Sequence, residues 1–398
     1  MPLRRPVVAR DTGERHRAAT PLELLFDLVF VVAIASNAAE LHHGLAEAHY
    51  GTVVGYSVTW FAIWWAWLNY TWFASAYDND DVVFRLLTFV IMVGALFLAA
   101  GVPDIFEDGQ STTVVLGYAI MRFAMVGLWL RAAAGHPEGR QTALWYAGGI
   151  TVVQLLWIAR LWVPESWFLP SFVLLVGLEL LVPVLAEKRH GYTPFHPHHI
   201  AERYGLLTII VLGEVILSSV LAIQQVMSPD GGGLTWPMAP LIAGGLLIVF
   251  SLWWMYFSRD HTRIVENPRA VWVFGYGHLP VFASIAAVGA ALAAAVDVVQ
   301  GDAEAGTRPV ALALAVAVSV VALALSGLHA LSDHATVATM VPAVVVTALC
   351  LATALLVSSM GMAVLLIGVV LAAMVALRVV STARSTTGST AGSTGVPR

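Results

Sequence analysis

The sequence predicts an all-α, polytopic bundle of about twelve transmembrane helices, and three observations favour this class. First, 59% of the 398 residues are hydrophobic and only 11% are charged, whereas a soluble domain carries about a quarter charged residues. Second, apolar runs of about 20 residues, the length that crosses a bilayer, recur along the chain. Third, these runs lack the alternating pattern of barrel strands. So little charge cannot cover a water-facing surface, and the apolar residues must face lipid as well as a core.

Six of the predicted spans fall in the first half of the chain. The first one starts after about twenty polar residues and continues as a full span, so we expect no cleavable signal peptide. The second ends in an aromatic run, and the third follows the acidic stretch 78–81. Arginines flank the fourth and fifth, and Lys188 follows the sixth. The predicted spans lie near 22–41, 52–74, 83–103, 112–132, 142–161 and 168–186.

The second half also carries six predicted spans. The first of these begins after a histidine-rich loop and the next one ends in a second aromatic run. The last three are rich in Ala and Val, and only residues 358–361 separate the final two. The hydrophobic pattern defines the number of spans least sharply at this hairpin. These spans lie near 204–226, 236–257, 272–296, 309–331, 335–357 and 361–380.

The basic residues predict the orientation of the bundle. If the spans alternate as counted, nearly all arginines and lysines outside them fall on one side, and Arg160 and Arg308 are the exceptions. The opposite loops are acidic, with Asp104, Asp230 and Asp297 as examples. We expect the protein in the inner membrane. The positive-inside rule then places both of its termini in the cytoplasm. The basic set comprises Arg4, Arg5, Arg10, Arg15, Arg17, Arg131, Arg140, Lys188, Arg189, Arg203, Arg259, Arg263, Arg269, Arg384 and Arg398.

An aromatic run followed by aspartate occurs twice, about half a chain apart. The run 67–73 leads to Asp78, and the run 253–257 leads to Asp260. With an even number of spans per half, duplication gives two parallel six-helix repeats, related by an axis along the membrane normal. The alternative is that both runs are interfacial aromatic belts. The predicted organisation is a disordered cytoplasmic segment 1–20, halves 21–190 and 191–380, and a disordered cytoplasmic tail 381–398.

Several long motifs resemble the low temperature requirement protein A (LtrA) family of bacterial membrane proteins. They are PLELLFDLVFV at 21–31, YDNDDVVFRLLTF at 77–89, LAAGVPDIF at 98–106, HPHHIAERYGLLTIIVLGEVIL at 196–217 and FGYGHLP at 274–280. The resemblance covers most of the chain up to about residue 290. It implies a multi-span membrane protein linked by name to growth in the cold. It implies no substrate, reaction or catalytic residue.

Ionisable residues within the apolar spans are the candidate functional residues, because each costs about 3 kcal/mol on insertion scales. They form two predicted layers, one near the cytoplasmic face and one near mid-bilayer. They either lock helices together as ion pairs or form a cation or proton path in which Asp27 and Glu214 change protonation. The central layer holds Arg122, Glu179 and Glu214. The inner layer holds Glu23, Asp27, Asp78, Asp80, Asp81, Arg85, Glu202, Arg203, Arg259, Asp260 and His278, of which Glu23, Asp27, Arg85, Glu202, Arg203 and His278 are the candidate pathway residues.

The sequence favours neither a metal site nor a cofactor. His198 and His199 stand four and three residues before Glu202, which fits a metal-binding helix face. Pro194 and Pro197 interrupt this stretch, so we expect it to cap the seventh span instead. The single cysteine, Cys350, excludes a disulfide framework. The net charge of −5 and the lack of a basic stripe argue against nucleic-acid binding.

The function that we expect is movement of a small solute or ion through a polar cluster between the two halves. Duplication is frequent in transporters, and intramembrane charges mark ion and substrate paths. The expected partners are therefore the lipid bilayer and an unidentified small solute or ion. The sequence assigns no catalytic residue. One alternative is an intramembrane lipid-modifying enzyme that uses His278, Asp27 or the His198–Glu202 face. The other is a non-catalytic scaffold or sensor linked to growth in the cold.

Overall fold

The structure is a computed structural model that describes residues 3–11, 13–14, 17–109, 111–227, 238–332 and 336–391. Within these ranges the elements are helices, with no strand. The predicted all-α class is therefore confirmed. Arg15, Asp230 and Arg398, which entered the charge pattern, lie outside the described residues.

Twelve long helices and two short ones form the described part of the chain, together with two 3-10 turns at Arg160–Trp162 and Glu165–Trp167. The short helices are α4 (Val102–Asp108) and α10 (Thr262–Val265). The long helices are α1 (Pro21–Ala46), α2 (Thr52–Tyr77), α3 (Val82–Ala100), α5 (Thr112–Gly135), α6 (Arg140–Ala159), α7 (Phe168–His190), α8 (Pro197–Met227), α9 (Met238–Phe257), α11 (Val271–Gln300), α12 (Thr307–Ser332), α13 (Thr336–Leu356) and α14 (Met360–Ala391).

Ten helices of the described residues are long and apolar enough to cross a membrane. Helices α2 and α8 are the two long helices outside that set. Helix α2 carries five tryptophans and three tyrosines, and 18 of its 26 residues are buried. It is thus mainly an interior helix, rich in aromatic residues. The chain has the helices of a multi-pass membrane protein, while the count of about twelve spans stays a prediction.

The first of two compact units comprises Met1–Glu40, Gly51–Ile210 and His261–Val271. Within it, α3 packs along α5, α5 along α6, and α6 along α7. The α3–α5 contact is close because two glycines face each other. A Cβ added to Gly117 would lie 2.5 Å from the Gly94 carbonyl oxygen, and one on Gly94 would lie 2.6 Å from that of Gly117. Only glycine allows this backbone approach.

The second unit comprises Leu41–Tyr50, Val211–Asp260 and Trp272–Arg398. Helix α9 packs along α14, and α12 packs along α13. The end of α1 belongs to this unit, where His42 Nε2 lies 2.6 Å from Asp297 Oδ2. The Ala305 amide also donates to the Ala46 carbonyl at 2.8 Å. The predicted halves that meet at residue 190, and their relation as repeats, stay predictions.

The N-terminal segment, for which disorder over residues 1–20 stays a prediction, contacts the rest of the first unit. Val7 and Arg17 are each only 4% exposed. The Arg17 guanidinium donates to the carbonyls of Ala74 and Ser75 at the end of α2. The last carbonyls of a helix lack partners within it, so this arginine satisfies them. Polar composition alone does not reveal such a contact. At the other terminus α14 runs to Ala391, and the rest of the predicted tail lies outside the described residues.

The glycine contact gives a stability prediction. Gly117→Ala places a methyl group against backbone and should lower the free energy of unfolding by roughly 1–3 kcal/mol, as overpacking does. Gly127→Ala, on the same helix, meets only a Leu87 methyl group at 3.6 Å. This control should be neutral or stabilising by up to about 1 kcal/mol through helix propensity. Thermal unfolding in detergent compares the two, and equal effects would contradict the close α3–α5 packing.

Candidate functional site

A buried network joins the first two turns of α1 and α8 in the first unit. Arg203 is fully buried and lies between two carboxylates of α1. Its Nη2 donates to Asp27 Oδ1 at 2.6 Å, and its Nη1 lies 3.0 Å from Glu23 Oε1. The second contact is an ion pair without hydrogen-bond geometry. Glu23 and Asp27 can share one cation because residues four apart lie on the same helix face.

Asp27 has a second donor from α2. Trp67 Nε1 donates to Asp27 Oδ1 at 2.7 Å, so both donors act on the same oxygen. The other oxygen, Oδ2, is buried and has no hydrogen-bond partner among the described residues. Buried carboxylate oxygens are normally hydrogen-bonded. Asp27 therefore keeps capacity to accept a proton or to contact a cation.

Glu23 also starts α1. The Thr20 amide donates to Glu23 Oε2 at 2.8 Å, and the Glu23 amide donates to Thr20 Oγ1 at 3.3 Å. This reciprocal pair is a capping box, which satisfies two amides at a helix start. His199 Nε2 on α8 lies 3.1 Å from Glu23 Oε1. Glu23 thus has a structural role in addition to its charge.

Arg17 and Asp78 extend this network toward the end of α2. Arg17 Nη2 lies 3.9 Å from Glu23 Oε1 and 3.7 Å from Asp78 Oδ2. Burial raises the pKa of Asp78 to about 6, and the negative charge of Glu23 adds to this. The Asp80 amide and Arg17 oppose the shift. Asp78 therefore titrates near neutral pH, unlike an ordinary aspartate.

A second buried network lies deeper in the same unit. Arg122 on α5 donates through Nη2 to Glu179 Oε2 on α7 at 2.5 Å, and Trp65 Nε1 on α2 donates to the same oxygen at 2.8 Å. Arg122 and Glu179 are 1% and 0% exposed. Arg122 Nε and Nη1 and Glu179 Oε1 have no hydrogen-bond partner within the described part of the chain. The Arg122 guanidinium also lies 5.7 Å from the centre of the Tyr118 ring.

Two further predicted site residues lie in the first unit and two in the second. Arg85 forms a surface ion pair with Asp80, at 2.8 Å and with 43% of its side chain exposed. Glu202 accepts from the Ala19 amide at 3.4 Å. Glu214, which is half-buried, and His278 belong to the second unit. His278 Nδ1 donates to the Phe274 carbonyl at 2.7 Å, and Tyr256 shares a hydrogen bond with its Nε2 at 3.2 Å.

The structure also adds residues that sequence reasoning assigned to other roles. The tryptophans of α2 are typical of packing and interfacial anchoring. The indole N–H groups of Trp65 and Trp67 nevertheless donate hydrogen bonds to Glu179 and Asp27. His199 reads as part of a helix cap or metal face. A buried indole N–H usually needs an acceptor. The presence of both tryptophans and carboxylates within the apolar spans was therefore the sequence signal for these hydrogen bonds. Among the described residues no group of three or more His, Cys, Asp or Glu could hold a metal ion.

Apolar helices that enclose fully buried ion pairs define this chain as a multi-pass helical membrane protein. The family model of the bacterial low temperature requirement A protein (LtrA) matches residues 18–379. The chain therefore belongs to the LtrA family. An uncharacterized protein of Rhizobium meliloti (strain 1021) is 26% identical over 293 residues, which cover 69% of each chain. No solved structure matches the chain with statistical significance.

The buried networks predict a large asymmetry between two arginines. Arg203→Met leaves Glu23 and Asp27 buried without their shared cation and should cost roughly 3–5 kcal/mol, as broken buried pairs do. Arg85→Met removes an exposed pair and should cost at most about 1 kcal/mol. Thermal unfolding of both purified variants in detergent measures the difference. Similar losses would contradict the burial of the Arg203 network.

Asp78 predicts a pH dependence of stability. Because its folded-state pKa of about 6 exceeds the unfolded value of about 3.9, its favourable contribution is complete below pH ~4. It is lost as the pH rises through about 6. Asp78→Asn mimics the protonated acid at every pH. The stability of the variant relative to wild type should therefore increase from pH 4 to pH 8, by on the order of 2 kcal/mol in total. Unfolding temperatures across this range test the difference, and parallel curves would refute it.

Proposed function

We propose that the protein moves a small solute or ion across the cell membrane, with both termini in the cytoplasm. The observation that carries this proposal is the buried set Glu23, Asp27 and Arg203, in which Asp27 keeps an unpartnered oxygen. Intramembrane ionisable residues are expensive to bury and commonly mark ion or substrate paths. Buried carboxylate oxygens are normally hydrogen-bonded, so the unpartnered Oδ2 supports Asp27 as a group that can take up a proton or a cation.

The two networks supply polar groups at two depths of one unit. Asp27 lies six residues into α1, about 9 Å along its axis. Arg122 and Glu179 lie near the middle of α5 and α7, about 15 Å from either helix end. Helix α2 bonds to both networks through Trp65 and Trp67. A proton or cation that crosses this unit therefore has two successive groups of charges to interact with.

Asp27 is the group that we assign to coupling. Binding of a proton or cation at Oδ2 would weaken the attraction of Asp27 for Arg203. Because this pair joins α1 to α8, a change of charge at Asp27 changes the tie between the two helices. Coupling of transport to a conformational change needs such a differential interaction. Glu23 is less suited, because its second oxygen already caps α1.

The second candidate function is a non-catalytic scaffold or sensor, and charge balance favours it. The carboxylates of Glu23 and Asp27 face two guanidinium groups, those of Arg203 and Arg17. When Asp78 beside Arg17 is protonated, the network has two carboxylates and two guanidinium groups and needs no mobile ion in order to be neutral. In that case the network only fixes helices, and neutralising Asp27 would leave the cellular function intact provided that the protein folds.

Flux through proteoliposomes tests the transport proposal. Purified protein is reconstituted, and pH-sensitive dye, Na⁺, K⁺ and a panel of small metabolites report movement under imposed gradients. We expect flux from wild type, a loss of at least tenfold in Asp27→Asn, and wild-type flux in Asp80→Asn, which neutralises an exposed carboxylate. Glu179→Gln is a second test of the buried charges.

Thermal unfolding of each variant separates loss of flux from loss of fold. No flux from wild type for any probe would overturn the proposal. Wild-type flux in both folded variants, Asp27→Asn and Glu179→Gln, would also overturn it and would favour the scaffold.

A further inference from the structure

A cavity lies in the first unit next to the Arg122–Glu179 network, because Tyr118 lines it and also lies under the Arg122 guanidinium. Its volume is about 60 Å³ and it is partly open. Residues of α2, α4, α5, α6, α7 and the 3-10 turn after α6 line it. Its walls are mainly apolar and aromatic, with Phe61, Ile105, Phe168 and Phe172 as the large side chains. An occupant must therefore present apolar surface to most of the cavity.

Four lining residues, Thr59, Tyr118, Gln154 and Trp157, nevertheless carry polar atoms without hydrogen-bond partners among the described residues. Gln154 is fully buried, and neither its Oε1 nor its Nε2 has a hydrogen-bond partner among the described residues. The same holds for Thr59 Oγ1, in a residue that is 2% exposed, and for Trp157 Nε1. Burying an unsatisfied polar group costs about 1–3 kcal/mol. Five such atoms, with Tyr118 Oη included, belong to residues that line one cavity, and they point to a missing polar partner.

The chemistry of these atoms selects the partner. An amide, a hydroxyl and an indole are all uncharged, and together they offer donors and an acceptor. The guanidinium of the lining residue Arg160 is already engaged, since it donates to Ser171 Oγ and the Phe168 carbonyl and lies 4.1 Å from the Phe168 ring centre. A hydroxyl group both donates and accepts. It therefore matches this set better than a carboxylate, a phosphate or an ammonium group.

The position of the cavity indicates where such a hydroxyl comes from. Thr59 lies in the second turn of α2, and Gln154 lies five residues before the end of α6, so both are near helix ends. Two tryptophans beyond this end of α6 are strongly exposed, Trp162 at 78% and Trp167 at 60%. Exposed tryptophan is typical of the headgroup level of a bilayer. A lipid there has its polar end at the height of the cavity.

The size agrees with one end of a lipid. The cavity volume of about 60 Å³ is several times the ~10–15 Å³ that one water needs on the same measure, so the cavity has room for a few waters or for a hydroxyl with a few methylene groups. The rest of a chain would leave through the open side. Ordered waters are the competing occupant.

We propose that this cavity binds the hydroxyl-bearing end of an uncharged lipid, with Gln154, Thr59 and Trp157 as its hydrogen-bonding partners and the aromatic wall against its first methylenes. This goes beyond the proposed function, because none of these residues belongs to the Asp27 or Glu179 network. The site can exist whether or not the protein transports a solute.

Photolabelling of the full-length purified protein in lipid nanodiscs tests this proposal. The probe is a long-chain fatty alcohol with a diazirine near its hydroxyl end, and the matched control probe is the hydrocarbon of equal length with the same diazirine and no hydroxyl. Peptide mass spectrometry locates the labels. We expect the alcohol to label peptides that contain residues 58–62 or 154–172 at least fivefold more than the hydrocarbon does.

Matched variants assign the binding to the cavity. Gln154→Leu removes both amide atoms, and Ala62→Leu fills part of the cavity while leaving Gln154 in place. Each should reduce the alcohol-specific labelling at least fivefold. Thr151→Val is the control on the same helix, because its hydroxyl already donates to the Ala147 carbonyl at 2.8 Å. It should label like wild type.

Two outcomes would overturn the site. Equal labelling by the alcohol and the hydrocarbon would show that the hydroxyl is not recognised, which is the result expected if the cavity holds only water. Unchanged alcohol labelling in both Gln154→Leu and Ala62→Leu, with folding verified by thermal unfolding, would place the probe elsewhere.

Discussion

The buried guanidinium of Arg203 is the constraint on which the first unit depends. It faces two carboxylates of α1, at 2.6 Å for Asp27 and 3.0 Å for Glu23. Once the apolar faces of the helices are packed, none of these charges can return to water. Any one of them alone would carry a desolvation cost of several kcal/mol. The network therefore fixes the register between α1 and α8, because Arg203 can reach both Glu23 and Asp27 in only one register.

Helix α2 is the element that connects this network to the rest of the unit. Its indole N–H groups reach Asp27 from Trp67 and Glu179 from Trp65, and its last carbonyls receive Arg17. Aromatic side chains combine a large apolar surface with one polar handle. Such a helix can fill the interior of an apolar bundle and still satisfy buried carboxylates. This explains how α2 can be rich in tryptophan and still lie in the interior of the unit.

Much of the site was predictable in kind but not in detail. An ionisable residue inside an apolar run is conspicuous, and Glu23, Asp27, Arg203, Arg122 and Glu179 were all selected on that ground. The pairing was not predictable, because Arg122 could have paired with Glu214 or Glu179 by depth alone. Arg85 was selected by the same rule and yet lies at an exposed helix start, where charge is inexpensive. Arg17 was missed because a polar segment before the first span carries no hydropathy signal.

The sequence by itself determined the class of this protein, since 59% hydrophobic residues in runs of bilayer length leave helices in a membrane as the only way to satisfy the backbone. It also determined membership of the LtrA family, through long ordered motifs. Only the tertiary structure decided which buried charges form ion pairs and which polar atoms, such as those of Gln154 and Thr59, lack hydrogen-bond partners among the described residues. Hydrophobic burial depends on composition along one helix, whereas ion pairing and hydrogen bonding depend on distances of a few ångströms between helices far apart in the chain.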